Sequence, residues 1–192
     1  MFLRVAEFHR VFGQYIADVP AFPDQRIRDL RMRLLQEEYN EFCDAYANND
    51  LVEMADGLAD MCYIIAGTCV SYGICPDEPI DYPYEEIIKQ VDLFIHKPLN
   101  DVLGEVVAKY EIREAANDLE EVKTQLMLLM SAIFGVALHL GLPLKTVFAE
   151  VHRSNMSKVE EDGLPRYRED GKLLKGSRYS PPDIRAILYP QG

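Results

Sequence analysis

Carboxylates crowd the stretch from Leu34 to Gly73 at intervals that place side chains on one helix face. Glu38 and Glu41 stand three apart, and Glu53, Asp56 and Asp60 fall at i, i+3 and i+7, which is helical spacing. The polar turn Asn48-Asn49-Asp50 separates the two groups, so an antiparallel pair of helices would bring the acids together. Four or five carboxylates at close range repel one another unless cations or protons balance them. An oxygen-only set, without Cys or His, suits Mg²⁺, with Mn²⁺ also possible. The expectation is an acidic metal site built between two helices. Two plainer readings compete with it. Acids three or four apart also make the solvated face of an amphipathic helix. Asp50 and Glu53 also have the spacing of a capping box, which would give Glu53 a purely structural role. The metal site is favoured by Cys62, Ile65 and Cys69, which make the second helix apolar beyond its acids.

The elements that must position these acids follow from apolar periodicity and from breakers. Helices are expected over 2–17, 24–47, 51–72, 84–95, 100–110, 114–140 and 143–153. Pro20 and Pro23 end the first region, Gly73 ends the third, and a Pro-rich link occupies 75–83. Gly57 and Gly67 lie inside the third helix at a cost of about 1 kcal/mol each relative to Ala. Close helix approach, or room for a ligand, would explain them. Arg31 lies seven before Glu38, on the same side of its helix, where it would meet a substrate phosphate or pair with a neighbouring acid. A segmental echo aligns 63–74 with 131–142 without gaps, Gly73 meeting Gly141. In that register Glu53 meets Glu121, but Asp56 meets Thr124 and Asp60 meets Leu128, so a second copy would have lost most of its acids. Beyond about residue 154, glycines and prolines mark a loop-rich tail expected to wrap over the body.

Composition narrows the function classes. The 192 residues, 48% hydrophobic and 27% charged, are ordinary for a globular protein and sufficient for one helical domain. A net charge of −12 argues against coating nucleic acid. Residues 151–192 carry eight Lys/Arg against six Asp/Glu, a mildly basic tail on an acidic body. Cys43, Cys62, Cys69 and Cys75 form no CxxC pair, and reduced thiols in a cytoplasmic setting are expected. The N-terminus lacks the pattern of a signal peptide, and the apolar run 126–144 reads as a buried helix, so no membrane partner is expected. None of the four histidines has Glu three before it, which removes the di-iron type of bundle. The absence of GxxxxGK[ST] removes a phosphate-loop NTPase.

Glu37-Glu38-Tyr39-Asn40-Glu41 followed by Glu53-Met54-Ala55-Asp56 resembles the EExxE…ExxD signature of the all-α NTP pyrophosphohydrolases, the MazG-like and phosphoribosyl-ATP pyrophosphohydrolase-like superfamily. The run 55–63 resembles that family's second motif helix. Ser154-Asn155-Met156-Ser157-Lys158 and Asp170-Gly171-Lys172 are similar to a tail of some MazG-like members. The resemblance covers about 1–75 and 140–185, leaving 75–140 as a helical insertion or a degenerate second repeat. It implies a single all-α helical bundle with sites completed across a homo-oligomer. It also implies Mg²⁺-dependent release of pyrophosphate from a nucleoside triphosphate substrate, in house-cleaning of nucleotide pools, with phosphoribosyl-ATP as the alternative substrate. Glu38, Glu41, Glu53 and Asp56 would then be the metal ligands. Glu37 or Asp60 would orient or deprotonate the attacking water. Matching the second motif on Leu58-Ala59-Asp60 instead makes Asp60 the last ligand. Asn155 and Lys158, with Lys172 and Lys175, would bind substrate, and Tyr179, His9 and His152 are further candidates for the pocket. The rival function is a non-catalytic nucleotide-binding or scaffold protein with a relic acidic site.

Overall fold

The computed structural model describes residues 1–75 and 97–190, so the expected helix at 84–95 and most of the Pro-rich link lie outside the described residues. The described residues form seven helices: α1 Phe2–Val11, α2 Gln25–Ala47, α3 Leu51–Tyr72, α4 Leu99–Ala115, α5 Leu119–His139, α6 Leu144–Met156 and α7 Ile184–Leu188. Among them there is no strand, only an isolated bridge between Tyr167 and Leu173. The architecture is all-α, as the periodicity requires.

Helix α3 is the axis of the bundle. From Met54 onward its residues are buried around most of its circumference, as for a helix that is apolar all round. It packs against α1, α2, α5, α6 and α7. Its closest partner is α2, whose Leu35, Phe42 and Ala45 face it. Gly57 permits this approach, since a Cβ there would lie 3.2 Å from the Phe42 Cβ and 3.3 Å from its backbone nitrogen.

Both ends of α3 are fixed by local chemistry. The Asp50 carboxylate accepts from the N–H groups of Val52 and Glu53 at 3.1 and 3.2 Å, satisfying two donors at the helix start. The Asp50 N–H donates to the Ala45 carbonyl at 3.0 Å. The reciprocal half of a capping box is therefore taken, and the Glu53 side chain is not needed for it. At the other end Gly73 adopts φ +66° and the Ile74 N–H reaches back to the Cys69 carbonyl at 3.0 Å.

The α4–α5 hairpin repeats this construction. Asn49 and Asn117 have φ of 53° and 56°. Asp118 caps α5 by accepting from the Glu121 N–H at 3.2 Å, and the Leu142 N–H bonds the Ala137 carbonyl beside Gly141 at φ +68°. The core positions correspond as well: Leu35, Phe42, Leu58 and Ile65 in one hairpin, and Leu103, Tyr110, Leu126 and Ile133 in the other, are all buried. The sequence echo thus extends through turn, caps and core. Helix α5 is long and apolar enough by length and composition to cross a membrane, and half of that window is buried within the protein, where α5 packs on α3 and α4.

Three expected boundaries move. Helix α1 stops at Val11, not 17, because Gly13 turns left-handed at φ +61° and the Gln14 N–H closes on the His9 carbonyl. The following segment then runs beside α3, with Ala17 and Ala21 donating to the carbonyls of Val70 and Tyr72. The break expected at 111–113 lies at Asn117 instead, since Asp118 is the cap. Helix α6 continues to Met156.

Buried polar groups tie α4 to α2 and α3. Arg28 Nε donates to Glu114 at 2.5 Å, the Tyr72 hydroxyl donates to the same carboxylate at 3.0 Å, and Arg28 also bonds the Glu114 carbonyl. Removing one partner of a buried ion pair strands the other, at about 3–5 kcal/mol. Glu114→Ala should therefore lower the unfolding free energy by about 3 kcal/mol in urea titrations. A loss of less than about 0.5 kcal/mol, the scale of an exposed pair, would show that the network carries no weight.

Candidate functional site

The turn at Asn49 brings α2 and α3 side by side, so Glu38 and Glu41 face Asp56 and Asp60 across the hairpin. Glu38, Asp56 and Asp60 are half-buried, while Glu41 and Glu53 are exposed at the rim. Burial, then repulsion from Asp60 and Glu41, holds the Glu38 carboxyl far above the usual carboxylate range. Burial, then Asp60 and Glu53, does the same to Asp56. Burial also raises Asp60, against the opposing pull of Lys158. One oxygen of Asp56, Oδ1, is buried without a hydrogen-bond partner among the described residues.

The basic tail supplies the countercharge. After α6 the chain folds back over α1 and α2. The Tyr167 hydroxyl donates to the Phe12 carbonyl, Arg26 donates to the Glu169 carbonyl at 2.6 Å, and Arg33 pairs with Asp170 at 3.5 Å. This path sets Lys158, Lys172 and Lys175 close enough for their charges to act on Asp60. Lys158 is itself partly buried, which lowers its pKa. Lys172 forms an ion pair with Glu37. The Lys175 ammonium lies 4.9 Å from the Tyr179 ring centre.

A cavity of about 110 Å³ opens beside the acids, with Glu38, Asp60, Asn155, Lys158 and Lys172 at its polar end. Phe8, Leu30, Leu34 and Tyr63 line its apolar part, and His9 and Arg31 also line it. Of the two candidate histidines, His9 thus reaches the cavity. His152 instead shares a 3.0 Å hydrogen bond with the Tyr63 hydroxyl and stacks on that ring.

The sites expected from sequence therefore separate into groups. Glu38, Glu41, Glu53, Asp56 and Asp60 interact with one another, and the three tail lysines with them. Glu37 is committed to Lys172. The Arg31 expectation needs correction: among the described residues it pairs with no acid, and its NH2 group donates to His9 Nε2 at 2.8 Å. Sequence reasoning missed this pair. Its only signal was a parallel in spacing, because Arg31 precedes Glu38 by the same seven residues that separate Asp60 from Gly67.

An all-carboxylate donor set with an orphaned buried oxygen fits a hard divalent cation in kind. Among the described residues, no three acidic, His or Cys side chains converge closely enough to hold one as they stand. Rotation of the exposed Glu41 and Glu53 side chains is the adjustment such an ion would draw.

Comparison with known proteins points to the same part of the chain. The sequence model of the phosphoribosyl-ATP pyrophosphohydrolase family matches residues 5–92, the part that carries α1, α2, α3 and the acids. That family is a member of the MazG-like all-α NTP pyrophosphohydrolase superfamily, and the match supports a pyrophosphohydrolase-type activity. The chain is also similar to the uncharacterized protein L479 of Acanthamoeba polyphaga mimivirus. The two are 29% identical over 175 residues, covering 81% of this chain and 69% of that protein.

The raised acids make metal-free stability depend on pH. Their folded pKa values exceed the unfolded ones, so ionising them costs the fold stability as pH rises through the folded values. His9 acts oppositely, since burial and Arg31 lower its pKa to about 3. Its contribution is lost only as pH falls below the unfolded value of about 6.5. Between about pH 8 and pH 6.5, then, acidification should raise the melting temperature of the metal-free protein, and Glu38→Gln should flatten that slope. An unchanged slope in Glu38→Gln would mean that the carboxylates are not packed as described.

Proposed function

We propose that the protein is a Mg²⁺-dependent nucleoside triphosphate pyrophosphohydrolase that cleaves between the α- and β-phosphates. The observation carrying this reading is the set of half-buried, mutually repelling carboxylates from two helices, faced by three lysines of the tail. Glu38, Glu41, Glu53 and Asp56 would hold the Mg²⁺, which when bound offsets phosphate charge and acidifies a water.

The remaining roles fall to the chain's own groups. Lys158, Lys172 and Lys175 offer point charges to phosphate oxygens. Lys172 pairs with Glu37, and all three lie within electrostatic reach of Asp60, so a polyphosphate arriving with a divalent cation would satisfy lysines and acids together. Asp60 is preferred over Glu37 as proton acceptor, because its raised pKa suits a general base while Glu37 is held by Lys172. In the reaction, the water oxygen bonds to the α-phosphorus as the bond to the bridging oxygen breaks. Pyrophosphate leaves with that electron pair, and the water proton passes to Asp60. Asn155 offers an amide to the base edge.

The test is pyrophosphate release from a panel of nucleoside triphosphates with Mg²⁺. Turnover of one or a few of them is expected, falling at least roughly 100-fold in Glu38→Gln, the scale for losing one group that stabilises developing charge. Silence across the panel from folded, metal-supplied protein would leave a nucleotide-binding protein in place of an enzyme. Activity that survives Glu38→Gln would put the chemistry elsewhere.

A further inference from the structure

Arg31 is a buried cation with no anion. Its residue is 6% exposed, and among the described residues no carboxylate forms an ion pair with it. The guanidinium is seated on Gly67, where a Cβ would come within 2.6 Å of one terminal nitrogen. The other terminal nitrogen donates to His9 Nε2 at 2.8 Å. His9 can accept there because its Nδ1–H is committed to the Tyr15 carbonyl at 2.9 Å. Among the described residues, Arg31 Nε is buried with no hydrogen-bond partner. Burial brings the Arg31 pKa down to about 10, which still leaves it charged at neutral pH. An unpaired charged donor is costly; Arg31 lines the cavity, and a ligand acceptor reaching its guanidinium would offset that cost.

The position of the pair says which part of a ligand it meets. Seven residues separate Arg31 from Glu38 on α2 and Asp60 from Gly67 on α3. Two turns, about 10 Å, therefore lie between the acids and the Arg31–His9 pair. Phe8, Leu30, Leu34 and Tyr63 line the cavity between them, apolar walls suited to a flat ring. Asn155, also 6% exposed, lines it too, and no side-chain hydrogen bond joins its amide to another described residue. With phosphates at the acids and lysines, a base would lie along these walls with its far edge toward Arg31.

We infer that Arg31, oriented by His9, reads this far edge and selects rings with a carbonyl oxygen there, a 6-oxopurine or 4-oxopyrimidine over adenine or cytosine. This rests on the nucleotide reading of the acidic site. A guanidinium only donates, and a ring carbonyl gives it a charge-assisted hydrogen bond. The amino group of adenine or cytosine also donates. It would meet Arg31 donor to donor and find the His9 lone pair already used, leaving buried groups unpaired on both sides.

The test leaves the protein unaltered. Binding is measured by isothermal titration, with Mg²⁺ present, for inosine against adenosine 5′-monophosphate and for uridine against cytidine 5′-monophosphate. Each pair differs at the exocyclic group said to face Arg31 and, with it, at the adjacent ring nitrogen, which carries a hydrogen in the oxo member and a lone pair in the amino member. The oxo member should bind at least about tenfold more tightly, and Arg31→Gln, shown to be folded by circular dichroism, should lose that preference. Equal affinity, tighter binding of the amino member, no binding of either, or a preference that survives in Arg31→Gln would each overturn the inference. Triphosphate hydrolysis without an oxo preference would overturn it while leaving the proposed activity standing. Oxo-selective binding without pyrophosphate release would support it and remove the activity.

Discussion

Repulsion among carboxylates at the α2–α3 hairpin is the constraint to which the surrounding structure answers. Half-burying Glu38, Asp56 and Asp60 beside exposed Glu41 and Glu53 is unfavourable in isolation. The fold tolerates it because α3 is anchored from every side, by the Asp50 cap, the close seat of Phe42 on Gly57, and the packing of five other helices. A tail of opposite charge is then drawn back across the site. Its lysines do not cancel the acids: the carboxyl groups stay raised, and one Asp56 oxygen stays without a partner among the described residues. The chain thus holds its acids in a state that favours taking up positive charge or protons. A site that binds a cation and polyphosphate together needs that property.

Much of the site was legible in the sequence, because helical spacing, caps and breakers are local signals. The limits of α2 and α3, the turn at Asn48–Asp50 and the shared face of the acids all follow from residues within one or two turns of each other. What could not be read depends on contacts far apart in the chain. The end of α1 is a local turn at Gly13, but the course of 13–21 beyond it is held by bonds to α3. Asp118 caps α5, whereas the apolar pattern starts that helix at about residue 114. The competing capping-box reading of Glu53 turned on a single backbone bond, from the Asp50 N–H to the Ala45 carbonyl, which spacing cannot reveal.

The same limit applies to the deep end of the cavity. A lone arginine on an amphipathic helix reads as an exposed ion-pair partner, and a lone histidine as a satisfied core residue. Gly67 makes the difference. With no side chain there, a guanidinium fits inside the bundle against His9, and a position that looked like a packing accommodation becomes the seat of a buried charge. The two glycines of α3 serve different ends, one bringing helices together and the other leaving space between them.

The hairpin α4–α5 retains the turn, the caps and the buried positions of α2–α3 while carrying Thr124 and Leu128 where the first has Asp56 and Asp60. Instructions for folding and instructions for chemistry are therefore written on separable sets of residues. One set can drift while the other is kept. Because α5 lies against α3 within the same chain, part of the apolar backing of the acidic hairpin is supplied in cis.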